Sequence, residues 1–356
     1  MPRLQMLSAA EQTAAHLRAG VERGDWSGMM PGVNQLAPEL GVTRKTVEAA
    51  LRQLEHEGLL VGRGPGRKRL IVLPRGASTR PMRVAILLHE PDDRHLEYIV
   101  ELQHALVEAG HTVVTPAKSL KELNMNAMRV SRLVKQTDAD AWVVVAGSGG
   151  VLEWFSAQPR PVFALFGRRE GLPIAAMGPD KSPALTAATR HLIGLGHRRI
   201  VMLCRQLRRL PKPGSSEQAF LDELKANGLP VSDFNLPDWE ESKEGFQRRL
   251  RSLFRVTPPT ALIIDESSFF VATQQFLAGR GLRVPQQVSL LCTDADPVFA
   301  WCMPPVSHIS WDTKTVVRRI ARWAATASRG GRDIKQTCVP AGFVIGGTIG
   351  PADDSL

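Results

Sequence analysis

The stretch that most constrains this chain is LGVTRKTVEAALRQLEHEGLL, Leu40 to Leu60. Gly41 stands where a helix ends, just past the short apolar segment Leu36 to Leu40. Thr43 can cap a new helix. Val47, Ala50, Leu51 and Leu54 then recur at i, i+3, i+4 and i+7, one apolar stripe of an α-helix, and Gly58 ends it. Two helices separated by about three residues form a helix-turn-helix. Arg44, Lys45 and Thr46 lie in the first turn of the second helix, off the stripe, where a recognition helix presents side chains to base edges and phosphates. LLVGRGPGRKRLIVL follows: apolar strands at Leu59 to Val61 and Leu70 to Leu73 flank a Gly/Pro turn bearing Arg63, Arg67, Lys68 and Arg69. A hairpin with a basic tip after a recognition helix is a wing, and its tip can reach the minor groove or flanking phosphates.

Charge distribution agrees. The net charge of the 356 residues is +10, which favours a polyanionic partner. Residues 1 to 80 hold 12 Lys/Arg against 7 Asp/Glu, and the other 276 hold 33 against 28. Each part is therefore +5, and the charge density is several-fold higher where the motif lies. Ser8 and Glu11 form a capping box, and Ala10, Ala14, Leu17 and Val21 make a stripe, so Ser8 to Val21 reads as a first helix. Gly24 to Gly32 reads as loop, with Trp26 plugging the core.

Residues 8 to 73, through MPGVNQLAPELGVTRKTVEAALRQLEHEGLLVGRGPGR, resemble the winged helix of the gluconate-repressor (GntR) family. The resemblance implies DNA contacts by the Arg after the hydroxyl cap, here Arg44, by Thr43 and Thr46 around it, and by the wing. The family commonly has Arg at Asn34, Ser at Gly32 and a basic residue at Glu48. Asn can read adenine bidentately, so Asn34 is expected to change base preference.

PRGASTRPM, Pro74 to Met82, reads as a linker. From Arg83 the pattern becomes strands alternating with helices. The strands are RVAILLH, HTVVTP, AWVVVAG, PVFALFG, RIVMLC, TALIID and VSLLCTD; the helices are Leu96 to Ala109, Met128 to Gln136, Ala184 to Leu195, Glu217 to Ala226, Glu244 to Phe254 and Phe269 to Gly279. Apolar strands joined by helices mean a doubly wound parallel sheet. Two such runs, divided near Ala184, predict two α/β subdomains with a cleft between them. The expected organisation is a winged-helix domain at 1–73, a linker at 74–82 and an α/β effector domain at 83–350.

This second region resembles the effector domain of the lactose/galactose-repressor family, itself similar to periplasmic sugar-binding proteins. RHLIGLGHRRIVML (Arg190 to Leu203), AFLDELKANGL (Ala219 to Leu229), GLRVPQQVSLLCTDADP (Gly281 to Pro297) and PPVSHISWD (Pro304 to Asp312) carry the likeness. With a GntR-type winged helix, the architecture is similar to the arabinose-repressor type of regulator. Doubly wound sheets bind ligands beyond the carboxyl ends of their strands. His89, Asp92, Ser148 and Arg168 fall there, while Asp180, Asp294 and Trp311 match family positions near the crossings. Glu266 and Ser267 stand where the family has Asn-Asp, and its effector-binding Arg is replaced near Ser216. Carboxylates, a guanidinium and an indole suit a sugar or polyol. Trp239 and Trp301 read as core, and Trp311 stands between core and ligand platform.

The expected function is a ligand-responsive repressor acting as a homodimer on a palindromic operator. One alternative is a constitutive DNA-binding regulator with a degenerate pocket. Another is a DNA-targeted α/β enzyme, although no G-x-S-x-G, H-E-x-x-H or Rossmann glycine pattern occurs. GSGG, Gly147 to Gly150, lacks the Lys of a P-loop, and the histidines lack metal spacing, so no cofactor or metal is expected. The cysteines (Cys204, Cys292, Cys302, Cys338) lack paired spacing and read as reduced thiols. MPRLQMLSAAEQ has no apolar h-region and no run reaches membrane length, so the expected location is the cytoplasm, on the nucleoid.

Overall fold

The computed structural model describes residues 8–353, apart from 24, 25, 27, 63, 65, 66 and 72–80. Arg63 and most of the expected linker lie outside the described residues. The first unit is α1 (Ala9–Arg23), α2 (Val33–Leu40), α3 (Arg44–His56), β1 (Leu60–Val61) and β2 (Leu70–Ile71). Ser8 and Glu11 close the expected capping box: the Ser8 amide donates to the Glu11 carboxylate at 2.7 Å, and the Glu11 amide to Ser8 Oγ at 3.3 Å. Gly41 has φ of +65°, and its amide reaches back to the Ala37 and Pro38 carbonyls. A side chain there would sit in a left-handed conformation, so glycine permits the short turn. Thr43 accepts from the Thr46 amide and starts α3. Leu17, Leu36, Leu51 and Leu54 are fully buried, and each removes about 1.5–3 kcal/mol of apolar side chain from water. β1 and β2 pair antiparallel, Leu60 opposite Ile71. Met29 bridges Leu70, so part of the expected loop at 24–32 adds a third edge to the hairpin.

The second unit continues with β3 (Arg83–Leu87), α4 (Glu97–Glu108), β4 (Thr112–Val114), α5 (Ala127–Gln136), β5 (Ala141–Val145), α6 (Gly149–Ser156), β6 (Val162–Leu165) and β7 (Ala175–Asp180). Then come α7 (Ser182–Gly194), β8 (Ile200–Leu203), α8 (Gln206–Arg209), α9 (Ser215–Ala226), α10 (Lys243–Val256), β9 (Ala261–Ile264), α11 (Ser267–Ala278), β10 (Ser289–Cys292), β11 (Ser307–Trp311), α12 (Thr313–Ala327) and β12 (Gln336–Val344). The strand order is β4-β3-β5-β6-β7-β12-β11-β10-β9-β8. All ladders are parallel except β11 with β12.

Two subdomains follow from that order. The chain leaves the first after β7 and returns after β11, where α12 packs Val316, Ile320 and Trp323 into the core of Val84, Val143 and Phe163. It crosses a third time within β12: Gln336 to Pro340 pair with β7, and Ala341 to Val344 with β11. Pro340 sits where the strand changes partner, a place that tolerates the loss of an amide donor. The periodicity did not reveal α6, β7, α12 or β12. β7 (AAMGPD) lacks β-branched residues, and β12 carries Pro and Gly, which weaken a strand signal.

Trp239 is buried as expected. Trp301 is a correction: it is 89% exposed, and Met303 beside it is 90% exposed. The short 3-10 turn Pro297–Trp301 buries Phe299 and turns Trp301 outward. Cys204 and Cys292 are buried, Cys338 is exposed, and all four cysteines are free. No described helix is long and apolar enough to cross a membrane.

Candidate functional site

The first candidate surface is the start of α3. Asn34, Arg44 and Lys45 are exposed and Thr46 is half-buried. The Thr43 and Thr46 hydroxyls lie 2.8 Å apart, which fixes the first turn. Val47, Ala50, Leu51 and Leu54 are buried, so the opposite face, with Arg44, Lys45 and Arg52, must look outward. Arg44, Lys45, Arg67 and Lys68 have no ion pair among the described residues. Arg69 differs. It donates to Glu55 and to Glu48, each at 2.9 Å. It therefore ties the wing to the recognition helix, and Glu48 has a structural partner. Arg18 clasps Glu57 from α1 in the same way.

The second candidate is the crevice between the subdomains, where the carboxyl ends of the parallel strands meet. His89 and Glu90 follow β3, Phe166 and Arg168 follow β6, and Lys181 follows β7. Arg205 follows β8, Asp265 and Glu266 follow β9, Asp294 follows β10, and Trp311 ends β11. Arg205 stands at the centre, with its side chain 12% exposed. Its guanidinium donates to Glu266 through Nε and Nη2, at 2.5 and 2.6 Å. It also bonds Glu241 at 2.7 Å and, across the crevice, Glu90. It lies over the Phe269 ring, 5.0 Å from the centroid. Lys121 is on Glu90 as well, at 2.7 Å. Behind this layer, Arg208 pairs with Glu217 at 2.8 Å and Asp265 at 3.1 Å. Lys181, 5% exposed, pairs with Asp294 at 2.6 Å.

One wall is aromatic. Tyr98, the chain's single tyrosine, Phe166 and Trp311 stand with centroids 5.6 to 5.8 Å apart and rings steeply inclined. Phe166 has φ of +62°, a costly conformation for a residue with a side chain. Next to it, Gly167 approaches Gly147 so closely that a Cβ would lie 2.4 Å from the Gly147 carbonyl oxygen. Gly167 thus packs its backbone against Gly147, the first residue of the GSGG stretch, where a side chain on Gly167 would not fit. Trp311 Nε1 points at Asp294, 3.4 Å away. Burial, with Asp93, Asp294 and Glu266 nearby, pushes the Tyr98 hydroxyl well above its ordinary range. Burial pushes the Glu266 carboxyl up to about 7, against the pull of Arg205. Burial, then Arg205, lowers His89 and favours the neutral ring. Both its ring nitrogens are buried without a hydrogen bond among the described residues, Nε2 lying 3.9 Å from Glu90.

The expected ligand residues therefore divide. His89, Glu266, Asp294 and Trp311 come together. Asp92 is exposed, and its neighbour Asp93 turns back to accept from the Glu90 amide at 2.9 Å. Ser148 caps α6. Asp180 is exposed and accepts from the Ser182 amide. Ser267 begins α11. Arg168 donates to the Leu207, Leu210 and Lys212 carbonyls at 2.7 to 2.9 Å, so it staples one subdomain to the other. Reading strand ends missed Glu90, Asp93, Tyr98, Lys181, Arg205 and Glu241. Three of these, Glu90, Lys181 and Arg205, also follow strands and could have been found by the same rule.

Comparison with known proteins gives two families. Residues 9–67 match the bacterial regulatory proteins of the gntR family, and residues 189–349 match the periplasmic binding protein-like domain. The HTH-type transcriptional regulator DegA of Bacillus subtilis (strain 168) is 22% identical over 218 residues, 58% of this chain and 63% of that protein. The chain thus spans less than two thirds of that relative's length. The lactose operon repressor of Escherichia coli (strain K12) is 23% identical over 298 residues, 79% of this chain and 75% of the repressor. Among solved structures, the transcriptional regulator CelR–cellobiose complex aligns with a TM-score of 0.63 at 18% identity, covering 90% of this chain and all of that one. A LacI family regulator from Enterococcus faecium with bound ribose aligns with a TM-score of 0.62 at 15% identity, covering 76% of this chain and all of that one. These likenesses place the fold among LacI-type regulators.

Proposed function

Because the chain joins a helix-turn-helix domain of the gntR family to a periplasmic binding protein-like domain of the LacI type, we propose that it is a ligand-responsive DNA-binding transcription regulator, a repressor answering to a sugar or related small molecule. The observation that carries this reading is the free basic face of α3: Arg44 and Lys45 stand exposed on a capped, well-packed helix. Residues 1–73 bind DNA, 74–82 connect, and 83–350 bind the effector. Arg44, Lys45 and Thr46 contact bases and phosphates, Asn34 and Thr43 flank them, and Arg63, Arg67 and Lys68 supply the wing. The relatives are regulators rather than enzymes, and this chain is assigned no catalysis. It works in the cytoplasm, on the nucleoid.

The regulator acts as a homodimer. Val298, Trp301 and Met303 expose apolar side chains on one short segment, a patch that a second copy would cover. A two-fold dimer reads two half-sites of a palindromic operator. Ligand state reaches DNA by changing how the subdomains close. Arg205 already bridges both subdomains through Glu90 and Glu266. That bridge favours one second reading, a constitutive regulator whose crevice is filled by its own side chains.

Fluorescence anisotropy on the duplex upstream of its own gene, beside a scrambled duplex, tests the regulator. Sequence preference lost in Arg44→Ala supports it, and no affinity for any duplex at moderate salt rejects it. Thermal unfolding with candidate ligands separates the two readings. A ligand at about 100 times its dissociation constant stabilises the fold by about 2.7 kcal/mol. Sedimentation of Trp301→Ser tests the dimer: dissociation is expected, and an unchanged dimer would move the interface elsewhere.

A further inference from the structure

The crevice holds more acid than its own cations balance. Glu90, Asp93, Glu241, Glu266 and Asp294 face it, against Arg205, Lys181, Lys121 and Arg168. The deeper layer does not correct this, since Arg208 serves both Glu217 and Asp265. Excess carboxylate at the centre of a chain with net charge +10 calls for a counter-charge. The molecule shows what such a site accepts: a guanidinium, held by three carboxylates and an aromatic face. Burial holds the Glu266 carboxyl up to about 7 even beside Arg205, so a cation placed against it would favour its ionised form.

Two further observations describe what a ligand must carry. The Tyr98–Phe166–Trp311 wall offers aromatic surface beside Asp294, an arrangement that attracts a cation as well as a carbon skeleton. His89 buries both ring nitrogens without a hydrogen bond among the described residues. A neutral imidazole has one donor and one acceptor, so it can serve a group able to do both, as a hydroxyl does. His89, Glu90 and Glu241 also lie close enough to share a metal ion. Arg205 and Lys121 already hold Glu90, and Arg205 holds Glu241, whereas Asp93 carries no ion pair among the described residues, which places the open acid away from that cluster and favours an organic cation.

We propose that the crevice takes an amine-bearing polyol, its ammonium among Asp93, Glu266 and Asp294, its carbon skeleton on the aromatic wall and a hydroxyl on His89. The inference rests on the crevice being the effector site. A neutral sugar would leave the carboxylate excess uncompensated.

The test uses the full-length protein and three matched pairs: glucosamine with glucose, galactosamine with galactose, and 2-amino-1,3-propanediol with glycerol. Each is offered at about 10 mM in thermal unfolding and then titrated calorimetrically. An amine is expected to bind about tenfold or more tightly than its neutral partner. Its affinity should rise as pH rises through about 7 and Glu266 ionises, a trend Glu266→Gln should abolish. Equal or better binding of the neutral members overturns the assignment, as does silence from all six. A response to Zn2+ alone overturns it in favour of the His89–Glu90–Glu241 cluster as a metal site. DNA anisotropy on the same samples keeps the two readings apart. DNA binding without an amine response rejects only the cation; an amine response without DNA binding rejects only the regulator.

Discussion

The winged helix and the crevice use arginine in opposite ways. On α3, Arg44 and Lys45 are exposed and carry no ion pair among the described residues. In the crevice, Arg205 is almost enclosed and bonded to three carboxylates from distant parts of the chain. The physical reason is the partner. A phosphate backbone brings its own negative charge, so a reading head must leave its cations unsatisfied until DNA arrives. A buried guanidinium cannot wait, because an uncompensated charge out of water costs several kcal/mol. Arg69 stands between the two: on the wing, yet spent on Glu48 and Glu55.

The largest expected effect is that of Arg205→Ala. It strands Glu241 and Glu266, leaves Glu90 to Lys121 alone, and should lower the stability of the α/β unit by about 3–5 kcal/mol. Denaturant unfolding measures this, and an unchanged midpoint would break the contrast. Arg44→Ala should do the reverse. DNA affinity should fall by about 1–3 kcal/mol in anisotropy, with thermal unfolding unmoved. Arg69→Ala should lie between them. It should cost about 1 kcal/mol of winged-helix stability and weaken DNA binding through a misplaced wing. A variant that lost only DNA affinity would return Arg69 to the reading surface.

The smallest effect is a pH dependence. Glu266 has its carboxyl raised above the ordinary 4.5 to about 7, so the folded state holds the proton more tightly than the unfolded chain. Its contribution to stability is fully present below about pH 4.5 and is lost as pH rises through about 7. Arg205 faces it and opposes the shift, while Asp265 and Asp294 face it and add to the shift. The comparison is therefore wild type against Glu266→Gln. Their difference in unfolding free energy should shift against wild type between those limits and be flat above. A constant difference would mean that Glu266 stays ionised throughout.

Much of the fold was legible. The stripe Val47, Ala50, Leu51 and Leu54 declared α3, and the alternation from Arg83 declared the doubly wound sheet, because local periodicity reports which face is buried. α12 was not read from the sequence, although Val316, Ile320 and Trp323 stand at helical spacing, and its return to the first subdomain is a tertiary fact. β7 and β12 stayed hidden because small residues, Gly and Pro give no strand pattern, and only their neighbours make them strands.

The site was legible as a place more than as a set of residues. Strand ends pointed to His89, Glu266, Asp294 and Trp311, but equally to Ser148, which caps a helix, and Arg168, which staples the subdomains. Sequence alone determined the recognition helix, its capping threonine and its basic first turn, since these depend on neighbours three or four residues away. The tertiary structure decided which charges are free and which are spent. Glu90 meets Arg205 across 115 positions of sequence, and Asp93 faces inward where Asp92 does not. Ion pairing depends on distance in space and on exclusion of water, and neither is written in the local pattern of a chain that crosses between its two halves three times.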